Sequence, residues 1–234
     1  MLELSVIIPT YNEESIIEDT LETLARLVNI DEVVIVDGGS TDKTVRIIEK
    51  FDDPLQKITL VKTKETIRAK QFSEGVARAK GEVLWFLLPE MRPKQGTARK
   101  IKAVMKYKEI VGGEFELIFE ARKSWSRLLA KLLQWVSPSS LSCLNSSIFV
   151  RRKAYENAGG FEYIPFLELH ELRRKLSKQG NFVILADSPI SLSFEKIERQ
   201  SAVRFLSKFV TCQVLHFLGL PPKIISKVLS LMYN

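Results

Sequence analysis

The run Val33-Val34-Ile35-Val36, closed by Asp37-Gly38-Gly39-Ser40-Thr41-Asp42, constrains this chain more than any other stretch. Four β-branched apolar residues in succession read as a strand buried on both faces, as in a parallel sheet covered by helices. Asp37 ends the run, so its carboxylate falls at the carboxyl edge of that strand. Gly38 and Gly39 supply positive φ or let a ligand approach the backbone closely. Ser40, Thr41 or Asp42 offers a cap to a helix running through Thr44 to Ile48. In an open α/β sheet, ligands bind just beyond the carboxyl ends of the strands. Asp37 is then an acceptor-only group placed to read a ribose hydroxyl or a base N–H. The same stretch also fits a plain helix-capping turn.

A second stretch repeats the plan. Leu4-Ser5-Val6-Ile7-Ile8-Pro9-Thr10-Tyr11-Asn12-Glu13-Glu14 reads as strand, polar turn and helix. Pro9 is expected to end the strand pairing, and Thr10 and Glu13 have capping-box spacing. Helices follow over Ile16–Leu27 and from about Lys43 to Phe51. A third strand covers Ile58–Val61, a helix Ile67–Ala79 and a fourth strand Val83–Leu88. This alternation predicts an α/β fold with a doubly wound, mostly parallel sheet. Beyond it the pattern gives a helix at Thr97–Tyr107, a strand or strand pair at Ile110–Phe119 and a helix at Ser124–Val136. Ser137 to Ser140 reads as a loop. Then come a strand at Ser147–Arg151, a short helix at Tyr155–Ala158, a helix at Leu167–Lys178, a short strand at Phe182–Leu185 and two closing helices.

A chain of 234 residues can bury one sizeable core. Its net charge of +7 is unevenly spread. Residues 122–153 hold Arg122, Lys123, Arg127, Lys131, Arg151, Arg152 and Lys153 with no acid, and Arg199 to Asn234 hold Arg199, Arg204, Lys208, Lys223 and Lys227 with none. Such a surface suits phosphate groups, anionic lipid or nucleic acid, or is a solvated basic face. Cys143 and Cys212 give neither a disulfide framework nor metal-ligand spacing, so a reducing compartment is inferred. Met1 leads almost directly into the first strand, so no signal peptide is expected. No apolar run is long enough to span a bilayer.

Together the Pro-Thr-Tyr-Asn-Glu turn at residues 9–13 and the Asp-Gly-Gly-Ser-Thr-Asp turn at 37–42 resemble the family 2 glycosyltransferases. The resemblance implies a GT-A fold, Rossmann-like and flanked by helices, over residues 1–198. The remainder, 199–234, would be a helical extension packed on that domain or on a membrane surface. The stretch from His216 through Tyr233 resembles the selenodomain-associated bacterial and archaeal subgroup. The resemblance further implies a nucleotide-sugar donor, a glycan or lipid-linked acceptor and a divalent cation, Mg²⁺ or Mn²⁺. No nucleic-acid partner is expected. The expected location is cytoplasmic, with peripheral contact at the inner face of the cell membrane. Pro9, Tyr11, Glu13, Asp37, Gly38 and Arg68 match positions around the nucleotide.

The resemblance breaks in three loops. Where the family carries Asp-x-Asp after the fourth strand, this chain has Leu88-Pro89-Glu90, which leaves Glu90 as the candidate metal ligand. One hard ligand holds a divalent cation poorly without substrate phosphates. Where the family carries Glu-Asp with the Asp as catalytic base, this chain has Glu168-Leu169, so Glu168 and Glu171 become the candidate bases. Restoring the carboxylate with Leu169→Asp is then expected to raise turnover. The third departure is Leu144-Asn145-Ser146. These breaks leave open a catalytically impaired nucleotide-sugar-binding protein. A helix with Trp125, Leu128, Leu129, Leu132, Leu133, Trp135 and Val136 opposite Lys123, Arg127, Lys131 and Gln134 leaves open a basic membrane-surface module.

Overall fold

The computed structural model describes residues 2–53, 56–134, 147–195, 198 and 202–233. Trp135, Val136, the Ser137–Ser140 loop, Leu144-Asn145-Ser146 and Arg199 lie outside them. The elements run β1 (Leu4–Thr10), α1 (Ile17–Arg26), β2 (Glu32–Asp37), α2 (Thr44–Lys50), β3 (Ile58–Lys62), α3 (Arg68–Arg78), β4 (Val83–Phe86), β5 (Met91–Arg92) and α4 (Thr97–Val104). They continue with β6 (Ile110–Glu120), α5 (Ser124–Gln134), β7 (Ile148–Arg151), α6 (Arg152–Asn157), α7 (Glu168–Leu176), β8 (Asn181–Ser193), α8 (Ala202–Phe217) and α9 (Pro222–Tyr233).

The strands form one sheet in the order β3-β2-β1-β4-β7-β6-β8-β5. β1 to β4 are mutually parallel, as the α/β alternation predicts, with Thr10 opposite Asp37 in register. That pairing sets the two sequence turns side by side at one sheet edge. β7 runs antiparallel to β4 and β6, which turns the second half into a mixed sheet. The core is continuous through this sheet and includes Val33 to Val36 and Val83 to Leu88.

Two local expectations are corrected, and part of a third feature is placed. Pro9 does not end the pairing, since it sits opposite Val36 inside β1. Leu87 donates to the Ile7 carbonyl, so Ile7 and, two residues on, Pro9 face the β4 side. β4 has ended by then, and the missing N–H costs no ladder bond. β8 is a long strand rather than a short one, because a bulge between Phe115/Leu117 and Leu185/Ile190 absorbs the Asp187-Ser188-Pro189 segment. α5 turns Leu129 and Leu133 into the core, with Trp125 partly buried against it. Of the apolar face whose side chains are described, Trp125, Leu129 and Leu133 are covered by the protein and Leu128 is exposed.

The two C-terminal helices pack at the start of α7. Leu167, Cys212, Ile225 and Leu229 form a small cluster of their own. Cys212 is disulfide-bonded, which removes the cysteine argument for a reducing compartment. The other cysteine, Cys143, lies outside the described residues. No helix among the described residues is long and apolar enough to cross a membrane.

Candidate active site

The two turns at the edge of β1 and β2 form one cross-linked cradle. Asp37 is 1% exposed. Its Oδ1 accepts from the backbone N–H of Gly39 at 3.0 Å and of Ser40 at 2.8 Å. Its Oδ2 accepts from the hydroxyls of Thr10 at 3.1 Å and Ser40 at 2.5 Å. Asn12 N–H donates to the Ser40 oxygen, while Asn12 Oδ1 accepts from Thr41 N–H, each at 2.8 Å. Glu13 N–H donates to the Thr44 hydroxyl, Glu14 N–H to Asp42 and Lys43 N–H to Glu14. The Thr10 carbonyl accepts from Gly38 N–H at 2.8 Å and from the Gln71 side chain at 3.0 Å.

This network revises the sequence reading of several residues. The Thr10 hydroxyl serves Asp37 rather than a capping box, and α1 begins only at Ile17 with no side-chain cap. Asp42 does the work of a cap on α2, accepting from Thr44 N–H at 2.9 Å. Gly39 takes φ +89°, which the turn requires. Gly38 is needed for close approach, but to the chain itself: a Cβ there would lie 2.2 Å from Gln71 Nε2. The carboxylate of Asp37 is engaged by the chain's own donors, so its first task is to hold the cradle. Tyr11, 44% exposed, is the open aromatic group at its rim, next to Asn12 at φ +54°. Pro9 and Glu13 are buried beneath it.

We expect Asp37→Ala to lower unfolding stability by about 1.5–3 kcal/mol, the range for hydrogen bonds to a charged group. Nucleotide binding should weaken with it, because the turn loses its anchor. Urea unfolding and calorimetric titration check both, and unchanged values in both would remove Asp37 from this account.

α3 links the cradle to the other half of the molecule. Gln71 reaches the Thr10 carbonyl, and Arg68, one turn earlier on α3, reaches Glu168. Arg68 Nη2 lies 3.1 Å from Glu168 Oε1 and donates to Oε2 at 3.3 Å. The Glu168 side chain is fully buried, and Oε1 has no hydrogen-bond partner. Glu168 opens α7 behind Leu167, which holds the left-handed conformation at φ +66°, ψ +21°. For a leucine this conformation costs about 1–2 kcal/mol. Burial of Leu167 among Cys212, Ile225 and Leu229, and the Phe166 N–H bond to Ser226, hold the turn in place.

The other candidates are placed differently. Leu169 points into the main core at 1% exposure. Glu171 is buried and bound by Arg174 through Nε at 3.0 Å and Nη2 at 2.5 Å. His170 faces His216 edge-on at 5.5 Å. Burial and the neighbouring His216 push its pKa down to about 4, so it is a neutral imidazole near pH 7. Lys208 on α8, read from the sequence only as part of the basic C-terminal stretch, is placed close to the Leu167 turn. Its Nζ lies 3.5 Å over the Phe166 ring, beside the turn that carries Glu168.

Glu90 is half-buried in the turn after β4. It shares that turn with Arg92, whose guanidinium donates to the carbonyls of Pro89 and Met91. Burial lowers the pKa of Arg92, opposed by the carboxylates of Asp19 and Glu90. Among the described residues, no three His, Cys, Asp or Glu side chains gather where they could share a metal ion. The turn itself supplies one carboxylate, Glu90, beside a guanidinium, and the described acids around it do not converge as a ligand set, which does not fit a resident divalent cation taking several oxygen ligands.

Residues 5–157 match the family described as Glycosyl transferase family 2, a span that includes the cradle, α3 and Glu90. This chain belongs to that family. The matched span ends before Glu168. Among family relatives, the poly(ribitol-phosphate) β-N-acetylglucosaminyltransferase TarS of Staphylococcus aureus is 36% identical over 91 residues, covering 37% of this chain and 16% of that protein. The probable glycosyltransferase YdaM of Bacillus subtilis is 23% identical over 76% of this chain and 47% of its own length. The chain therefore spans less than half of these relatives. Among solved structures, the mannosyltransferase PcManGT of Pyrobaculum calidifontis, in complex with GDP-Man and Mn²⁺, superposes with TM-score 0.71 at 19% identity, covering 97% of this chain and 68% of that one. S. aureus TarS in complex with UDP-GlcNAc gives TM-score 0.65 at 19% identity, covering 92% and 67%. These likenesses establish the GT-A fold.

Proposed function

We propose that this family 2 chain is an inverting glycosyltransferase that takes its sugar from a nucleotide-sugar donor, with residues 1–198 as the catalytic domain. The carrying observation is the buried Glu168, ion-paired to Arg68 across from the cradle and with one carboxylate oxygen lacking a donor. The cradle receives the nucleoside, with Tyr11 against the base or ribose and Asp37 fixing the turn. Glu168 takes the proton of an acceptor hydroxyl on a glycan or lipid-linked substrate. The acceptor oxygen bonds to the anomeric carbon from the face opposite the leaving group. The bond from that carbon to the phosphate oxygen breaks, and the nucleoside diphosphate leaves with the electron pair. In the related PcManGT structure Mn²⁺ accompanies the donor. The donor set around Glu90 does not match such an ion, so no step is assigned to one here.

A thermal-shift screen over UDP, GDP and their sugars tests the donor reading. A ligand at 100 times its Kd should stabilise the fold by about 2.7 kcal/mol. No shift with any nucleotide would reject it.

Two observations support further readings. Leu169 in the core and Glu171 tied to Arg174 favour a nucleotide-sugar-binding protein with little or no turnover. Along α8, Val203, Leu206, Val210, Val214 and Phe217 are exposed at helical spacing, followed by exposed Leu218. With the basic, acid-free sequence from 199 to 234, this stripe suits peripheral contact with an anionic membrane at the cytoplasmic face. The likeness of residues 216–233 to the selenodomain-associated subgroup is kept as part of this proposal.

A further inference from the structure

We propose that the hairpin of α8 and α9 docks on an anionic lipid bilayer, lying in its interface by the outer stripe of α8 and the Phe217-Leu218 tip. This deepens the peripheral-contact reading above and rests on it, and it is independent of the donor reading.

At about 100° per residue, Val203, Leu206, Val210, Val214 and Phe217 fall within an arc of about 80° on α8. That arc lies on the side of the helix away from buried Cys212 and contains no charged residue. The stripe runs for about 21 Å. It ends at Phe217, 91% exposed, and Leu218, 67% exposed, beside the Gly219 turn. α9 turns Ile224, Lys227 and Leu231 outward. A continuous apolar row of this kind marks an interaction site, where scattered exposed apolar residues would not. Within the protein, the same hairpin buries Leu167 and accepts the Phe166 N–H on Ser226. The element that would lie on the lipid is therefore the one that holds the Glu168 turn.

Charge decides between lipid and a second copy of the chain. Residues 199–234 carry Arg199, Arg204, Lys208, Lys223 and Lys227 and no Asp or Glu. A second copy docked by the same stripe would set two acid-free basic hairpins face to face, since a two-fold contact pairs a surface with itself. An anionic bilayer sets negative charge against them. α5 adds a further basic face with exposed Arg127 and Lys131. It is tied to the chain entering α8 by Glu198, which accepts from the N–H groups of Arg122 and Lys123. α8 has 16 residues, short of the roughly 20 that a bilayer-spanning helix needs. An amphipathic helix of this length lies in the plane of the interface, its apolar face among the acyl chains and its basic groups among the headgroups.

The test is flotation of the protein, without nucleotide, on vesicles of phosphatidylcholine alone and of phosphatidylcholine with about one third phosphatidylglycerol. The variants are Val210→Ser with Phe217→Ser, which thins the stripe, and Lys227→Gln, which removes one charge. All three side chains are exposed, so urea unfolding should stay at the wild-type midpoint. We expect the wild type to float on the anionic vesicles, weakly on the neutral ones, and less well at high salt. The stripe variant should partition at least about tenfold less, because two buried apolar side chains are lost. Lys227→Gln should partition about fivefold less, the worth of one basic side chain near an anionic surface. Failure of the wild type to float on either vesicle would overturn the docking together with the peripheral contact. Flotation of the stripe variant equal to wild type would overturn seating by this stripe and spare a looser basic contact. A lipid-free dimer that the stripe variant dissociates, with no flotation, would overturn the docking and assign the stripe to a second copy.

Discussion

Replacing Glu168 by Gln lowers the single-turnover rate of sugar transfer by roughly 10²–10⁴-fold, the usual worth of a general base. The side chain keeps its shape and its carbonyl oxygen can still face Arg68, so the start of α7 is retained. What is lost is the ability to accept a proton. Donor binding depends on the cradle and should persist, so the effect falls on turnover rather than on nucleoside diphosphate affinity. Two features make Glu168 the stronger candidate over Glu171. Its Oε1 lacks a hydrogen-bond donor, whereas both oxygens of Glu171 are bound by Arg174. It also sits directly after the left-handed Leu167, where the chain changes direction. Single-turnover assays with the donor identified by thermal shift decide the matter. Undiminished transfer in Glu168→Gln would place the base elsewhere. Absence of transfer in the wild type, with donor binding intact, would favour the binding-only reading.

Leu169→Asp is expected to destabilise the fold rather than to restore a base. Motif comparison makes this substitution look like a repair, because Leu169 occupies the position of the family's Asp. The structure places the Leu169 side chain in the main core at 1% exposure. Adjacent helical residues point about 100° apart, so Glu168 and Leu169 do not share a direction. A carboxylate at 169 would lose the leucine's apolar burial and lack a partner. Together these should cost roughly 3–5 kcal/mol. Urea unfolding of Leu169→Asp measures this directly. A variant as stable as wild type, with faster transfer, would mean that α7 turns Leu169 toward the substrate when the donor binds.

Much of the scaffold is legible from short stretches. Runs such as Val33–Val36 and Val83–Phe86 are apolar at every position, and only strands covered on both faces bury every side chain of such a run. The helical stripe through Ile17, Leu21 and Leu24 and the Asp-Gly-Gly-Ser turn are likewise local patterns. From these the sequence determined the parallel half of the sheet, the order of its elements and the position of the cradle. The matching motifs carried the family. Local patterns do not say which distant groups will meet. That Asp37 gives its carboxylate to Thr10, Gly39 and Ser40 was decided by the pairing of β1 with β2, which places Thr10 opposite it. Pro189 could lie inside β8 because β6 accommodates a bulge there. Leu167 could adopt a strained turn because α8 and α9 bury its side chain. Arg68 and Glu168 are 100 residues apart in the chain. Their meeting is a property of packed helices, since the free energy that brings them together comes from apolar faces elsewhere and leaves no mark in the sequence around each charge.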